Sequence, residues 1–280
     1  MREIEVAVVT QNIKEMCIEA NHFLSRDMID CLHSAKETET NSLGRQVLEQ
    51  LNQNLEIAGK EMIPICQDTG MAVVFVELGQ EVRVVGGSLN EAINEGVRQG
   101  YREGYLRNSV VNDPLKRINT NDNTPAVIHY EITCSDKITM TLAPKGFGSE
   151  NMSRLFMLKP SDGYKGVIDA VITAVREAGA NACPPLVIGV GIGGTFEKCA
   201  YLSKKALTRP VNEMSAISHI SQLEEELLAE INKLGIGAGG LGGKYTALKV
   251  NIETYPTHIA GLPVAVNIGC HVNRHVTRTL

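Results

Sequence analysis

The seven cysteines of this sequence are its most reactive side chains, and their settings sort them into two groups. Cys17 and Cys31 fall on the apolar faces of helical patterns, and Cys199 lies in the helical stretch 196–207, so buried, inert thiols are expected there. Cys134 belongs to the polar turn Cys134-Ser135-Asp136-Lys137 and should be exposed. The remaining three sit differently: Cys66 in Pro-Ile-Cys-Gln-Asp-Thr-Gly before an apolar run, Cys183 in Asn-Ala-Cys-Pro-Pro before another, Cys270 in Ile-Gly-Cys-His after a third. Each is on a loop at the end of a buried element, where a thiolate can project into a cleft. Three separated thiolates on rigid strand ends suit an iron–sulfur cluster with one iron unligated by protein, because thiolates are the usual ligands and an exposed iron acts as a Lewis acid. Ordinary loop thiols are the other reading of the same residues. A closed four-cysteine cluster or a structural zinc site fits less well, since no C-x-x-C run occurs. An odd cysteine count without an export signal also argues against a disulfide scaffold.

The elements that must hold these loops can be read from periodicity. From Ile4 to about Lys60 apolar residues recur at helical spacing, through Ile13, Met16, Cys17 and Ala20, then Met28, Leu32 and Ala35, then Leu43, Val47, Leu48 and Leu51, with Gly59 as a stop. Met71–Val76 and Val82–Val85 predict strands, and Ser88 with Glu91 predicts a capping box opening a helix that reaches Leu106 and Arg107. Residues 126–143 predict a hairpin turning at Cys134. A helix follows over Asp162–Ala178, ended by Gly179, then a buried strand over Leu186–Ile192. Ser221 with Glu224 predicts the cap of a helix running to Leu234. Strands at Ala247–Ile252 and Pro263–Ile268 precede a short basic tail. The fold class is α+β, or mixed α/β: a helical region over 1–60, then a mixed, partly antiparallel sheet with flanking helices over 61–280.

Composition limits the partners. Forty-three per cent hydrophobic and 21% charged residues mark a globular chain rather than a disordered or fibrous one. A net charge of −5 gives no drive toward nucleic acid or anionic lipid. No apolar run approaches the roughly 20 residues of a membrane span, and the N-terminus has no signal core, so a cytoplasmic protein is expected. Aromatics are only 4% while glycines number 26, which suggests a ligand pressed against main chain.

Several segments taken together carry a resemblance. Ile65-Cys66-Gln67-Asp68-Thr69-Gly70, Lys145 through Asn151, Asn181-Ala182-Cys183-Pro184-Pro185 running into Gly189–Gly194, Gly240-Leu241-Gly242-Gly243, and Thr257-His258-Ile259-Ala260-Gly261 through Asn267 to Cys270 resemble the α subunit, or N-terminal domain, of class I (iron–sulfur) fumarate hydratase and L-tartrate dehydratase. The resemblance runs nearly end to end. It implies a [4Fe–4S] cluster held by Cys66, Cys183 and Cys270, with the fourth iron open to substrate. It implies reversible hydration of fumarate to (S)-malate, a tricarboxylic acid cycle reaction, or alternatively dehydration of L-tartrate to oxaloacetate; methylfumarate-type substrates stay open. It casts Asp68 and His258 as catalytic, with Asp68 a proton shuttle, and Gln67, Arg107 and the backbone of Gly146 as substrate-binding. Phe147 departs from the family's run of three glycines. The proton-abstracting threonine, a lysine and a further arginine belong in the resemblance to a β subunit or C-terminal domain. The sequence ends ten residues after Cys270, so a separate β chain is expected, as an α2β2 heterotetramer.

Without the resemblance, Asp68 reads as a turn residue, Arg107 as a solvated arginine at a helix end, and His258 as a loop histidine. A different class, an NAD-dependent dehydrogenase, is raised by Gly189-Val190-Gly191-Ile192-Gly193-Gly194 after a strand. It lacks an acidic residue about 20 positions on, and glycines that let backbone approach the cluster explain the run better. Gly243-Lys244 lacks the remainder of a phosphate loop. A non-catalytic module would leave the three loop thiols without purpose.

Overall fold

The computed structural model describes all 280 residues. In chain order the elements are β1 (Arg2–Glu5), α1 (Val6–His22), α2 (Arg26–Thr38), α3 (Ser42–Glu61), β2 (Met71–Gly79), β3 (Val82–Val85), α4 (Leu89–Glu103), β4 (Val127–Thr133), β5 (Ile138–Lys145), α5 (Phe147–Glu150), β6 (Arg154–Leu158), α6 (Gly163–Ala178), β7 (Leu186–Gly193), α7 (Phe196–Ala206), α8 (Ser218–Asn232), β8 (Ala247–Tyr255), β9 (Leu262–Gly269) and β10 (Val276–Thr279). This is the mixed α/β class read from the sequence. The residues gather into two compact units, one of Met1–Ser25, Leu55–Phe147 and Arg274–Leu280, the other of Arg26–Asn54 and Gly148–Asn273. No helix is long and apolar enough to cross a membrane.

The first unit is built on a four-stranded sheet in the order β10-β5-β2-β4, beside a small parallel pair of β1 and β3. One face of the sheet presents Ala72, Val74, Val76, Ile138, Met140 and Leu142 to α1 and α4. The two helices approach closely because α4 carries glycine where they meet: a Cβ at Gly96 would lie 2.7 Å from the Ile13 Cβ, and one at Gly100 2.7 Å from the Cys17 Cβ. Larger residues there would force α1 off the sheet and expose Ile13, Met16 and Cys17, each now fully buried.

Several expected elements differ here. The hairpin over 126–143 does not form: β4 pairs parallel with β2, and β5 pairs antiparallel with the other edge of β2. The apolar central strand, shielded on both edges, wins both partners. Ile4 is strand rather than helix, since β1 pairs with β3. Helix α3 runs through Gly59, whose missing side chain makes room for the Phe23 ring; it ends at Glu61, and Met62 turns the chain at φ +51°. Ser88 accepts from the Glu91 N–H, so the N-cap half of the predicted capping box forms, but α4 stops at Gly104, and Arg107 lies on a loop and not in a helix.

The second unit holds a sheet ordered β6-β9-β7-β8, with β7 parallel to β8 and antiparallel to β9. Helices α6 and α8 cover one face through Val171, Val175, Leu223 and Leu227, packed on Ile188, Val190, Val250 and Val266. Helix α7 crosses the opposite face. There a Cβ at Gly189 would stand 2.1 Å from the Ser203 carbonyl oxygen, and one at Gly191 2.0 Å from that of Cys199. These two glycines therefore serve helix-on-strand packing, which corrects the reading of their run as a backbone approach to a cofactor. The cap expected at Ser221 and Glu224 is also corrected: α8 starts at Ser218, and buried Glu224 accepts from Arg209 and from the Ser215 and Ile252 N–H groups. Strands β6 and β10 were not foreseen; β10 is the segment read as a basic tail.

Candidate active site

In the first unit the candidate residues converge on the turn between α3 and β2. The Ile65 N–H donates to the Asn21 carbonyl (2.9 Å), pinning the start of the turn to the end of α1. Cys66 is half-buried and its thiol donates to Oε1 of the exposed Gln67 (3.6 Å). The Asp68 carboxylate is held at both oxygens: Oδ1 accepts from the Gly70 N–H (3.1 Å) and Oδ2 from the Phe147 N–H (2.9 Å). Each oxygen keeps a further lone pair for a proton or a donor. Gly146 touches this carboxylate, since a Cβ there would lie 2.9 Å from Oδ2. Phe147 keeps the loop's backbone contact while the residue stays 49% exposed, so its departure from glycine leaves the approach to Asp68 intact. Gly70, at φ +76°, presses against the Lys145 backbone, which a Cβ would meet at 2.7 Å.

Arg107 joins the same turn through its main chain: its N–H donates to Thr69 Oγ1 (3.0 Å), and that hydroxyl donates to its carbonyl (3.3 Å). The Arg107 side chain is exposed. Behind the turn the Tyr101 hydroxyl donates to the Thr69 and Gly70 carbonyls (2.8 and 2.9 Å), and Asn123 Nδ2 to the Gly70 carbonyl (3.2 Å). Burial above all holds the Tyr101 phenol far above its usual range, so it acts as a neutral donor.

In the second unit Cys183 adopts a left-handed conformation (φ 55°, ψ 64°) at the end of a short 3-10 turn and is exposed. Only surrounding structure keeps a residue with a Cβ there, which makes it a functional pointer. His271, next to Cys270, reaches back to it: the His271 N–H (3.4 Å) and Nδ1 (2.9 Å) both meet the Cys183 carbonyl, so Nδ1 carries a proton. The Cys183 and Cys270 loops are thereby tied together. A second brace comes from the glycine run 237–243. The Gly239 N–H donates to the Pro184 carbonyl (2.8 Å), and a Cβ at Gly240 would fall 2.3 Å from that of Ala180. Buried Glu39 fastens the far end of the run, accepting from the Thr40, Asn41, Lys244 and Tyr245 N–H groups. His258 is exposed on the turn between β8 and β9. Its Nδ1 accepts from the Ala260 N–H (3.1 Å), which leaves the proton of the neutral ring on Nε2.

The structure thus brings Asp68, Gly146, the Arg107 backbone and the Cys66–Gln67 pair together in one unit, and the Cys183 and Cys270 loops in the other. Cys66 belongs to the first unit, and within neither unit do three or more metal-ligating side chains form a metal site. The family model described as fumarate hydratase (Fumerase) matches residues 10–279. The chain belongs to the fumarate hydratase family. Among its relatives, the putative L(+)-tartrate dehydratase subunit alpha of Methanocaldococcus jannaschii is 39% identical over 278 residues, 97% of each chain. The L(+)-tartrate dehydratase subunit alpha of Escherichia coli K12 is 32% identical over 255 residues, 90% of this chain and 84% of the relative; that of Shigella sonnei matches equally.

As a hydro-lyase of the fumarate hydratase family, this chain has its loop cysteines where chemistry can reach them. Cys183 is exposed and Cys66 and Cys270 are partly so, whereas burial pushes the thiols of Cys17 and Cys199 upward and leaves them inert. Sequence reasoning does not find Tyr101, Asn123, Glu39 or His271, nor Arg274, whose Nη2 donates to the Asp68 carbonyl. For His271 and Arg274 a signal existed, since both follow Cys270 within four residues; for the others only the fold supplies it.

Proposed function

We propose that this chain is the α subunit of an L-tartrate dehydratase, with fumarate hydration as the second activity to be tested. The reading is carried by its nearly end-to-end likeness to relatives named as L(+)-tartrate dehydratase alpha subunits. That shifts the preferred substrate from fumarate, put first from the sequence, to tartrate. The reaction removes a proton beside one carboxylate and expels hydroxide from the neighbouring carbon, both difficult near neutral pH.

Cys66, Cys183 and Cys270 are the residues that would hold a [4Fe–4S] cluster. The donor set fits: three accessible thiols on loops at strand ends, one in a strained conformation, sorted apart from the buried ones. Bound there, the cluster would supply Lewis-acid chemistry at the hydroxyl that leaves. The chain's own residues do the remainder. Arg107 binds a substrate carboxylate from solvent, and Gln67 donates beside it. Asp68, its carboxylate oriented by two N–H donors, moves the proton to or from the departing oxygen. His258 offers Nε2–H as a donor to the substrate. A separate β chain completes the site as an α2β2 assembly and brings the base for the carbon-bound proton.

The test is co-expression with a β-type chain without oxygen, assaying tartrate dehydration and fumarate hydration side by side. The proposal expects tartrate to be the better substrate, with Cys66→Ser inactive on both. Fumarate turned over faster at saturation would reassign the substrate, and full activity in Cys66→Ser would remove that thiol from the site. Use of Gly189–Gly194 for a dinucleotide has little support, because α7 occupies the space over Gly189 and Gly191.

A further inference from the structure

Three successive carbonyls of the turn that carries Cys66 and Asp68 are gripped from the interior. Tyr101 and Asn123, both neutral, hold those of Thr69 and Gly70. The Asp68 carbonyl is held instead by a charged group, Nη2 of Arg274, on the segment just before β10. Arg274 is only 5% exposed, and its Nε and Nη1 atoms are sealed from solvent without a hydrogen-bond partner. Burying a guanidinium in this state costs several kcal/mol unless negative charge lies close by. A neutral donor would serve one carbonyl at far lower cost, so the charge itself calls for an explanation.

We propose that Arg274 is a positioning residue of the Cys66–Gly70 turn, which fixes the backbone of Asp68 from within and sets a buried positive charge behind the turn. Negative groups on the outer side of the turn, the Asp68 carboxylate and a bound diacid, are the charges it faces. The field of Arg274 and that of Asp68 both reach the Tyr101 hydroxyl, with opposite effects, which places the two charges near the same group. The backbone role stands on the geometry of this chain alone; the role toward the diacid rests on the function proposed above.

Alkylation of the 280-residue chain by iodoacetamide under anaerobic, metal-free conditions reads the first role without any activity. In Arg274→Gln, Cys66 should react about tenfold faster, the scale of losing one hydrogen bond from a charged donor. Cys17 and Cys199 should stay as protected as in the wild type. An unchanged Cys66 rate would overturn the proposal. So would a parallel rise at Cys17 and Cys199, which would mean general loosening. Arg274→Lys, which keeps the charge without the planar fork, covers the case in which the glutamine variant does not fold, and it should also speed Cys66 selectively. With the β chain present, Arg274→Gln should raise KM for tartrate about tenfold while kcat changes by less than about threefold. A change in kcat alone, or none in KM, would refute the second role. If the wild type itself turns over neither diacid, the functional reading fails while the labelling result still decides the role of Arg274.

Discussion

Gly146→Ala isolates what the orientation of Asp68 contributes. Gly146 lies outside the left-handed region, so alanine carries no backbone strain there. Its Cβ, however, would sit 2.9 Å from Asp68 Oδ2, where ordinary contact begins at 3.4 Å. The carboxylate must therefore yield by about half an ångström. It cannot do so freely, because Oδ2 is held by the Phe147 N–H at 2.9 Å and Oδ1 by the Gly70 N–H at 3.1 Å. A hydrogen bond to a charged acceptor contributes roughly 1.5–3 kcal/mol, and weakening one by about half gives a misorientation worth about tenfold in rate. The assay is kcat for tartrate dehydration by the assembled enzyme, with Gly148→Ala as the matched control. A Cβ at Gly148 meets nothing closer than the Asn181 carbonyl oxygen at 4.0 Å, so that variant should be near wild type. If both variants lose the same activity, or neither does, the orientation of Asp68 is not what Gly146 protects.

Other expectations are independent of turnover. Burial alone would raise the Glu39 carboxyl, but N–H donors from Asn41, Lys244, Tyr245 and Thr40 outweigh it and hold it below the usual range. Its stabilisation is therefore present above the unfolded carboxyl pKa and disappears as pH falls through the lower folded value. Glu39→Gln should cost about 2 kcal/mol near neutrality by urea unfolding and flatten the acid-side dependence; an unchanged midpoint refutes this. Gly191→Ala places a Cβ 2.0 Å from the Cys199 carbonyl oxygen and should destabilise by about 3 kcal/mol, read as a fall in Tm. Brief iodoacetamide treatment of the native chain, mapped by peptide mass, should label Cys134 and Cys183 and spare Cys17 and Cys199; equal labelling would contradict the burial assigned to the last two.

Helices α1 to α3, strand β2 and the α6–β7 succession could be read in advance because their apolar spacing is set locally and their burial follows it. The errors arise where a distant partner decides. Residues 126–143 carry every sign of a hairpin, yet β2 separates the two strands by pairing with both. Ser221 and Glu224 have capping-box spacing, but the Glu224 carboxylate is taken by Arg209 and two backbone N–H groups from elsewhere in its unit. Strands β1, β6 and β10 are short, partly exposed edge strands with charged residues, which leave a weak alternation. At the site, the cysteines and Asp68 were visible as motif residues. The groups that orient them were not, because Tyr101, Asn123 and Arg274 approach the turn from the interior across more than thirty residues of chain. Glycine was the least legible residue type, since Gly146, Gly191 and Gly240 look alike in sequence but meet a carboxylate, a helix and a neighbouring loop.

The most direct measurement is iron and acid-labile sulfide per chain after anaerobic reconstitution, for the wild type and for Cys66→Ser, Cys183→Ser, Cys270→Ser and Cys134→Ser. About four iron atoms per wild-type chain are expected, the same in Cys134→Ser, and less than about half in each of the other three. Full iron and sulfide in any one of those three variants would contradict the assignment of that thiol, and a wild-type chain that takes up no iron would contradict the account as a whole.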